Sequence, residues 1–317
     1  MTTSSRPDPR RLGVPKEVVN QAARTLRNAR GSLSTFLDEL NQADATVGVA
    51  GTDDAWIAAA HHRHRTGLRR LLSWSAITAS LTIAHALDHV VAIERTLVGE
   101  PVSIWPTVSL SRTVQEGTIR ICHTRQAQVS SEERMVRIAA AMLADARAHL
   151  TAAKEFDSRV LPEAERAWQR AEATVVSAGC SIGLDGKSRP VRVELGAHSA
   201  PFKFELTAAA KTRKTHLPSW YRLSSGAAHS SMWLVRQAVG FDDEGKPSLY
   251  ADSETVSAAV LAVLGAFEDL TETFGTYHGH TGTAQAVATL RRRTLVVVEL
   301  QKRWREKAAR DAEALFS

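Results

Sequence analysis

The chain has 317 residues, 44% of them apolar and 23% charged, the composition of an ordinary globular protein with enough length for one large hydrophobic core. Its net charge of +6 permits an anionic partner but does not require one. Cys122 and Cys180 have no metal-type spacing and cannot form a disulfide framework, and the first 15 residues contain no apolar signal core. We therefore expect a soluble, cytoplasmic protein.

Helical periodicity dominates the first half of the chain. A disordered segment, residues 1–15, is expected to precede a single helical domain, residues 16–317. Within that domain, apolar residues recur at spacings of three, four and seven, the pattern of amphipathic helices. Five helices are predicted in this half, over residues 18–40, 52–97, 106–125, 132–157 and 162–177.

Local signals predict where these helices begin. Thr52 is predicted to cap the second helix, and Pro106 suits the first turn of the third. Ser130 followed by Glu133 is a capping-box pattern before the fourth helix, and Pro162 can open the fifth.

The most apolar stretch is Trp74–Ile93, which contains His85, Asp88 and His89. A membrane-spanning helix needs about 18 predominantly apolar residues in a row. The interruptions therefore predict a buried helix of a soluble protein, and we expect no membrane partner.

The second half contains one departure from helical periodicity. Around the turn signal at Asp185-Gly186, apolar and polar residues alternate, which predicts a β-hairpin-like excursion near 182–206. A surface loop is expected at 242–247. Further helices are predicted over residues 217–239, 253–277 and 283–315. The predicted fold class is all-α: a bundle of seven or eight long helices with one short β excursion.

The segment Tyr221–His229 has the side chains for phosphodiester chemistry. Arg222 and His229 are seven residues apart, so on a helix they face the same way, about 20° apart around the axis and about 10 Å apart along it. A guanidinium can stabilise charge on a phosphate while an imidazole moves a proton. Gly226 and its small neighbours leave space for a close helix or a phosphate backbone.

This Arg-x6-His spacing resembles the Arg-x(4–6)-His signature of the HEPN superfamily, all-helical domains associated with nucleotides and RNA. The string Tyr221-Arg222-Leu223-Ser224 followed by His229 is similar to a segment of uncharacterised bacterial helical proteins close to that superfamily. In those proteins an Arg-x3-Glu helix and an Arg-containing helix start lie upstream, and Arg112–Glu116 and Glu133–Arg137 fit that pattern. The resemblance covers residues 74–240.

The resemblance implies an RNA-binding protein or metal-independent endoribonuclease, acting in stress, toxin or phage defence without a cofactor. Arg222 and His229 would be the catalytic pair, and two protomers of a homodimer would bring their pairs together. The supporting residues would be Arg112, Glu116, Tyr221 and Ser224. Leu223 departs from the pattern, because active HEPN ribonucleases usually have Asn, Asp or His there.

A polar seam is predicted on the third helix. Arg112, Glu116, Arg120 and His123 recur at spacings of four, four and three, whereas the rest of that helix is apolar. If the seam faces inward, its charged residues must be hydrogen-bonded, and it is then a structural network or a site. If it faces outward, it is a solvated face. If the helix with Arg222 packs beside it, Glu116 would orient that arginine.

A metal site is a weaker alternative. His85 and His89 are four residues apart on one helix and could chelate a metal together with Glu116 and His123. No Glu-x-x-His motif accompanies them, so surface or core histidines are the favoured interpretation.

The last predicted helix concentrates the positive charge. Residues 291–310 include eight basic and two acidic side chains, so the stretch is as basic as the whole chain. A basic helix can follow phosphates or bind an acidic protein partner, and the alternative is a solvated face around a core contact at Leu295–Val298. The candidate nucleic-acid contacts are Arg291, Arg292, Arg293, Lys302 and Arg303.

Three functions therefore remain open from the sequence. The first is an HEPN-like protein that binds or cleaves RNA. The second is a non-catalytic helical interaction or regulatory protein in which the same residues lock the core. The third is a metal-dependent helical-bundle enzyme.

Overall fold

The structure is a computed structural model, and part of the chain is described in it. The described residues are 15–42, 47–99, 104–156, 159–212, 220, 224, 239–241, 247–249 and 253–314.

The described part of the chain is an all-α bundle with a small sheet, which confirms the predicted fold class. Its helices are α1 (Lys16–Gln42), α2 (Gly48–Ala59), α3 (His62–Val98), α4 (Ile104–Thr124), α5 (Ser131–Phe156), α6 (Leu161–Ser177), α7 (Leu206–Thr212), α8 (Ser253–His278) and α9 (Thr283–Ala314). Its strands are β1 (Ser181–Leu184), β2 (Pro190–Leu195), β3 (His198–Pro201), β4 (Val239–Phe241) and β5 (Pro247–Leu249). The predicted disordered segment and most of the helix predicted over residues 217–239 lie outside the described residues.

Several helix starts follow the local signals. The Ser130 hydroxyl accepts the amide hydrogen bond of Glu133 at 3.1 Å, as a capping box requires. Pro162 lies in the first turn of α6, where its missing N–H leaves no intrahelical bond unmade.

The prediction of one helix from Thr52 to about Leu97 is wrong. Thr52 lies inside α2, where its hydroxyl donates to the carbonyl of Gly48. The predicted helix is interrupted at residues 60–61, between α2 and α3. At the break, the ring of His61 accepts from the amide of Arg63 and caps α3. Gly67 then lets α3 approach the end of α6, since an added Cβ would lie 2.3 Å from the amide nitrogen of Ala178.

Two hydrophobic clusters form most of the core, and α3 contributes to both. The larger cluster joins α1, α4, α8 and α9 to the second half of α3. The other joins α2, α5, α6 and the three-stranded sheet to the first half of α3. With 37 residues, α3 is about 55 Å long, which is enough to connect them.

The β excursion is an antiparallel sheet in the order β1-β2-β3. Val193 and Ala200, opposite each other in β2 and β3, are buried against α5. The predicted turn is present at Asp185, whose carboxylate accepts the amide hydrogen bonds of Lys187 and Arg189. These bonds and the Arg189 guanidinium lower the pKa of Asp185 to about 2. A second antiparallel pair, β4 and β5, flanks the predicted loop at 242–247 and was not predicted.

The apolar stretch of α3 is buried along one stripe only. Ile83, Val90 and Ile93 lie in the core, but Ile77 and Leu81 are 61% and 66% exposed. Among the described residues, α3 is the one helix long and apolar enough to cross a membrane by length and composition, a criterion that core helices also meet. The expectation of a buried helix therefore holds for one face of α3.

Candidate functional site

The predicted catalytic segment Tyr221–His229 is described at Ser224, and the residue directly before the segment, Trp220, is described as well. Tyr221, Arg222 and His229 lie outside the described residues. Trp220 and Ser224 are described, and both are helical and buried, with relative exposures of 5% and 0%. The protein interior therefore holds Trp220, just before the segment, and Ser224 within it.

Trp220 packs between α4 and α8. It belongs to a small apolar cluster with Val108 of α4 and with Ala259 and Ala262 of α8. Trp105 lies at the edge of this cluster. The indole N–H groups of Trp105 and Trp220 are buried, and neither has a hydrogen-bond acceptor within the described part of the chain. Two desolvated donors without acceptors are unusual, because each costs about 1–3 kcal/mol.

The polar seam of α4 begins one turn beyond Val108. Arg112 Nε donates to Glu116 Oε1 at 2.7 Å, and the two side chains are 14% and 26% exposed. Val108, Arg112 and Glu116 are four residues apart, so they occupy successive turns of one face. The ion pair thus lies on the face of α4 that carries the Trp220 contact.

The other end of the predicted seam is covered by an aromatic ring. Phe204, in the segment before α7, has its ring centroid 4.8 Å from that of His123. The Arg120 guanidinium carbon lies 5.7 Å from the same ring, at cation–π distance. The seam is therefore divided into an ion pair near Trp220 and an aromatic contact near α7.

The four candidate metal ligands do not form a metal site. His85 and His89 have their rings 4.1 Å apart, but His89 Nδ1 is within hydrogen-bond distance of the His85 carbonyl, at 2.8 Å. No group of three or more His, Cys, Asp or Glu able to hold a metal occurs among the described residues, which include Glu116 and His123.

The basic side chains of α9 are partly engaged within the protein. Arg291 pairs with Glu268 of α8 at 3.1 Å, and Arg303 pairs with Glu299 at 3.1 Å. Arg292 donates to the hydroxyl of Thr289, whereas Lys302 is exposed. These pairs reduce the number of cations on α9 that could contact a phosphate chain.

The expected core contact at Leu295–Val298 is wrong for most of its residues. Val297 is 1% exposed, but Leu295, Val296 and Val298 are 65%, 43% and 46% exposed. The reason is that four consecutive residues point around the whole circumference of a helix, so a single face reaches the core.

Sequence reasoning missed a buried polar cluster where α2, α5 and α8 meet. Asp53 and Arg134 form a two-bonded ion pair, Nε to Oδ2 at 2.8 Å and Nη2 to Oδ1 at 2.9 Å, with side chains 0% and 2% exposed. The hydroxyl of Tyr277 donates to Asp53 Oδ2 at 2.9 Å. Arg134 also donates to the carbonyls of Gln126 and Val129 in the loop between α4 and α5.

A second arginine completes this cluster. The guanidinium carbon of Arg125 lies 5.2 Å from the ring of Phe274 and 5.1 Å from that of Tyr277. Burial lowers the pKa of Arg125, and burial together with Arg125 lowers the pKa of His278. Burial and Asp53 raise the pKa of Tyr277.

The buried cluster connects the two hydrophobic clusters of the core, because Asp53 and Arg134 come from α2 and α5 and Tyr277 comes from α8. Its central ion pair is sealed from solvent, and its carboxylate oxygens are bonded to side chains of α5 and α8. One signal in the sequence could have shown that Asp53 is buried, although it does not identify the partner. Asp53 stands between Ala50 and Ile57, at spacings of three and four, on the buried face of α2.

Comparisons of the chain with models of protein families, with curated proteins and with solved structures give no match. The fold class of helical bundle therefore follows from the structure, while the likeness to the HEPN superfamily depends on the sequence motifs.

Proposed function

We propose that this protein binds and cleaves RNA as an HEPN-like ribonuclease, with Arg222 and His229 as its catalytic pair. The observation that best supports the proposal is the contact of Trp220 with Val108. This contact places Trp220, two positions before Arg222, beside the α4 face that carries the Arg112–Glu116 ion pair. It supports the proposal that Arg112 and Glu116 act together with the predicted catalytic pair.

The proposed chemistry needs no metal. The ribose 2′-hydroxyl attacks the adjacent phosphorus, the bond from phosphorus to the 5′ oxygen breaks, and the products are a 2′,3′-cyclic phosphate and a 5′-hydroxyl. His229 takes the proton of the 2′-hydroxyl, and the partner subunit's His229 gives a proton to the departing 5′ oxygen. Arg222 stabilises the added negative charge on the phosphate.

Arg112 and Glu116 act in this proposal as positioning residues. Their ion pair is mostly shielded from water, so it is screened less than a surface pair and holds both side chains in place.

The test is RNA degradation by the purified full chain in a buffer containing a chelator. We expect cleavage without added metal, and we expect His229→Ala to reduce the rate about 100-fold or more, the usual contribution of general acid–base catalysis. His149→Ala is the matched control, since His149 is exposed on α5 and should leave the rate unchanged. Intact RNA over a broad substrate panel, or full activity of His229→Ala, would contradict the proposal.

A second candidate function is a non-catalytic interaction or regulatory protein. The complete burial of Ser224 favours it, because a residue inside the bundle points to a structural role for its segment. On this alternative, Arg222→Ala and His229→Ala lower the melting temperature by several degrees, since each leaves a buried partner unsatisfied. Loss of stability without any RNA cleavage by the parent protein would favour this second function.

A further inference from the structure

A groove runs between α1 and α9, away from the α4 seam. Its volume is about 490 Å³, within the range of small-molecule binding sites. Its wall on α1 extends from Arg27 to Glu39, which are twelve positions and therefore about 18 Å apart along the helix. The buried ring of Phe36 lies along it. The helices are antiparallel here, because Ser32 contacts Arg293 while Glu39 lies near His280.

Arg293 is the cation of this groove that its own protein satisfies least. Its Nη2 donates to the Ser32 hydroxyl at 2.7 Å, whereas its Nε is buried without a hydrogen-bond partner in the described part of the chain. No carboxylate among the described residues lies within ion-pair distance of Arg293. Arg291, two residues before it, differs because it pairs with Glu268, whereas the adjacent Arg292 likewise bonds a hydroxyl, that of Thr289.

The groove is positive at one end and negative at the other. At the Arg293 end, Glu94 is shared between Arg27 and Arg30 at 3.2 and 3.1 Å, so one carboxylate faces two guanidinium groups. Partial burial, and to a lesser degree the neighbouring Arg292, lower the pKa of Arg293. An arginine remains charged under such conditions, so this end retains an excess of positive charge. At the other end, Glu39 lies 3.8 Å from Nε2 of His280.

We propose that this groove binds a small phosphorylated ligand of nucleotide size. A phosphate would lie at the Arg293 end, where guanidinium N–H groups and the hydroxyl of Ser32 are suitable donors. The side-chain amide of Asn28 lines the groove one turn beyond Ser32, that of Gln285 lines it toward Glu39, and either can bond a ribose or a base.

The polarity of the groove favours a free nucleotide over an RNA strand. A strand running through the groove would place further phosphates beside Glu39, where like charges repel. A mononucleotide has one charged end, and at the other end it presents N–H and O–H groups. The Glu39 carboxylate can accept hydrogen bonds from these groups. None of the lining residues belongs to α4 or α7, and the residue shared with the proposed RNA-binding function is Arg293, one of the candidate nucleic-acid contacts of α9.

Titration calorimetry with the purified full chain tests this site. The probes are the four common nucleoside 5′-monophosphates, the corresponding nucleosides, inorganic phosphate and a ten-nucleotide single-stranded RNA. We expect at least one monophosphate to bind more tightly than its nucleoside and more tightly than inorganic phosphate. Absence of monophosphate binding, or equal binding of inorganic phosphate, would overturn the proposal.

Two variants place the bound ligand in the groove. Arg293→Ala should weaken monophosphate binding about tenfold or more, the value of a charge-assisted hydrogen bond. Gly31→Trp should abolish it, because an added Cβ at Gly31 meets no atom within 4 Å and a large side chain can fill the groove without disturbing the core. Circular dichroism and the melting temperature establish that both variants are folded.

Lys307→Ala is the matched control. It removes one positive charge from the same helix, at an exposed position 14 residues and therefore about 21 Å beyond Arg293. Monophosphate binding should be unchanged in this variant. Equal weakening by Lys307→Ala and Arg293→Ala would show general charge attraction and would overturn the site. RNA binding that is lost in Arg293→Ala and Gly31→Trp would assign the groove to a strand and overturn the mononucleotide.

Discussion

Two arginines of this protein, Arg134 and Arg293, show opposite ways of placing a guanidinium. Arg134 is 2% exposed, and it bonds both oxygens of Asp53 and two backbone carbonyls. Arg293 faces an open groove, bonds one hydroxyl and has a buried Nε without a partner in the described residues. The first arginine is satisfied by its own chain, and the second is suited to a ligand.

The difference teaches where a charge serves stability and where it serves binding. A buried ion pair contributes little net stability, yet removing one partner is costly because a buried charge is left alone. A partly satisfied charge in a groove costs the free protein some stability, which an anion can return on binding. Substitutions in the two regions should therefore have different effects on unfolding.

The largest effect is expected from Asp53→Ala, which leaves Arg134 buried without its carboxylate. The free energy of unfolding should fall by about 3–5 kcal/mol, measured by urea denaturation. Asp54→Ala is the control, because Asp54 is exposed on the same helix and its loss should cost less than about 0.5 kcal/mol. The double variant Asp53→Ala, Arg134→Met should be more stable than Asp53→Ala alone. If it is not, charge burial does not explain the loss.

Tyr277→Phe should have the next largest effect. It removes the hydrogen bond to Asp53 but keeps the ring, so the free energy of unfolding should fall by about 1.5–2 kcal/mol. The same substitution in the Asp53→Ala background should cost less, because the acceptor is already gone. Equal costs in both backgrounds would mean that the hydroxyl acts through another contact.

Gly31→Ala should raise the free energy of unfolding by about 0.5–1 kcal/mol, because alanine favours a helix more than glycine does and the added methyl group meets no atom within 4 Å. Thermal denaturation measures this gain. Gly67→Ala is the opposite case on α3, where the Cβ would strike the backbone of Ala178 and stability should fall. A loss of stability in Gly31→Ala would contradict an open groove at that point.

The smallest effect is expected in the pH dependence of stability. Burial and Arg125 lower the pKa of His278, whereas a histidine in the unfolded state has a pKa of about 6.5. The folded state therefore binds fewer protons at His278 than the unfolded state does. The contribution of neutral His278 to the free energy of unfolding is therefore present above about pH 6.5 and is lost as the pH falls through the lowered pKa. Urea denaturation at several values between about pH 5 and 8 should show that the free energy of unfolding depends less steeply on pH in His278→Gln. An unchanged slope would refute the assignment.

The helices were predictable because their signals are local. The spacing of apolar residues predicted α1, and the capping pattern at Ser130 predicted the start of α5. The break at His61 was missed because the apolar period continues on both sides of it. The exposure of Ile77 and Leu81 was missed because a pattern of apolar residues does not reveal which neighbour is present to cover them.

The candidate sites were predictable only in part. The Arg112–Glu116 pair followed from a spacing of four on one helix, and the structure contains it. The likeness to the HEPN superfamily stays a prediction, since Arg222 and His229 lie outside the described residues. The Asp53–Arg134 pair joins residues 81 positions apart, and no local spacing signals such a pair.

The sequence by itself determined the helical class, the cap of α5, the β excursion and the concentration of basic residues from Arg291 onward, because each depends on residues within a few turns of one another. Only the tertiary structure decided what each charge faces. It buried Arg134 against Asp53, and it placed Arg293 in the wall of a groove between α1 and α9, helices distant in the sequence. The physical reason is that the energy of a charge depends on its burial and its partners, and both are set by packing.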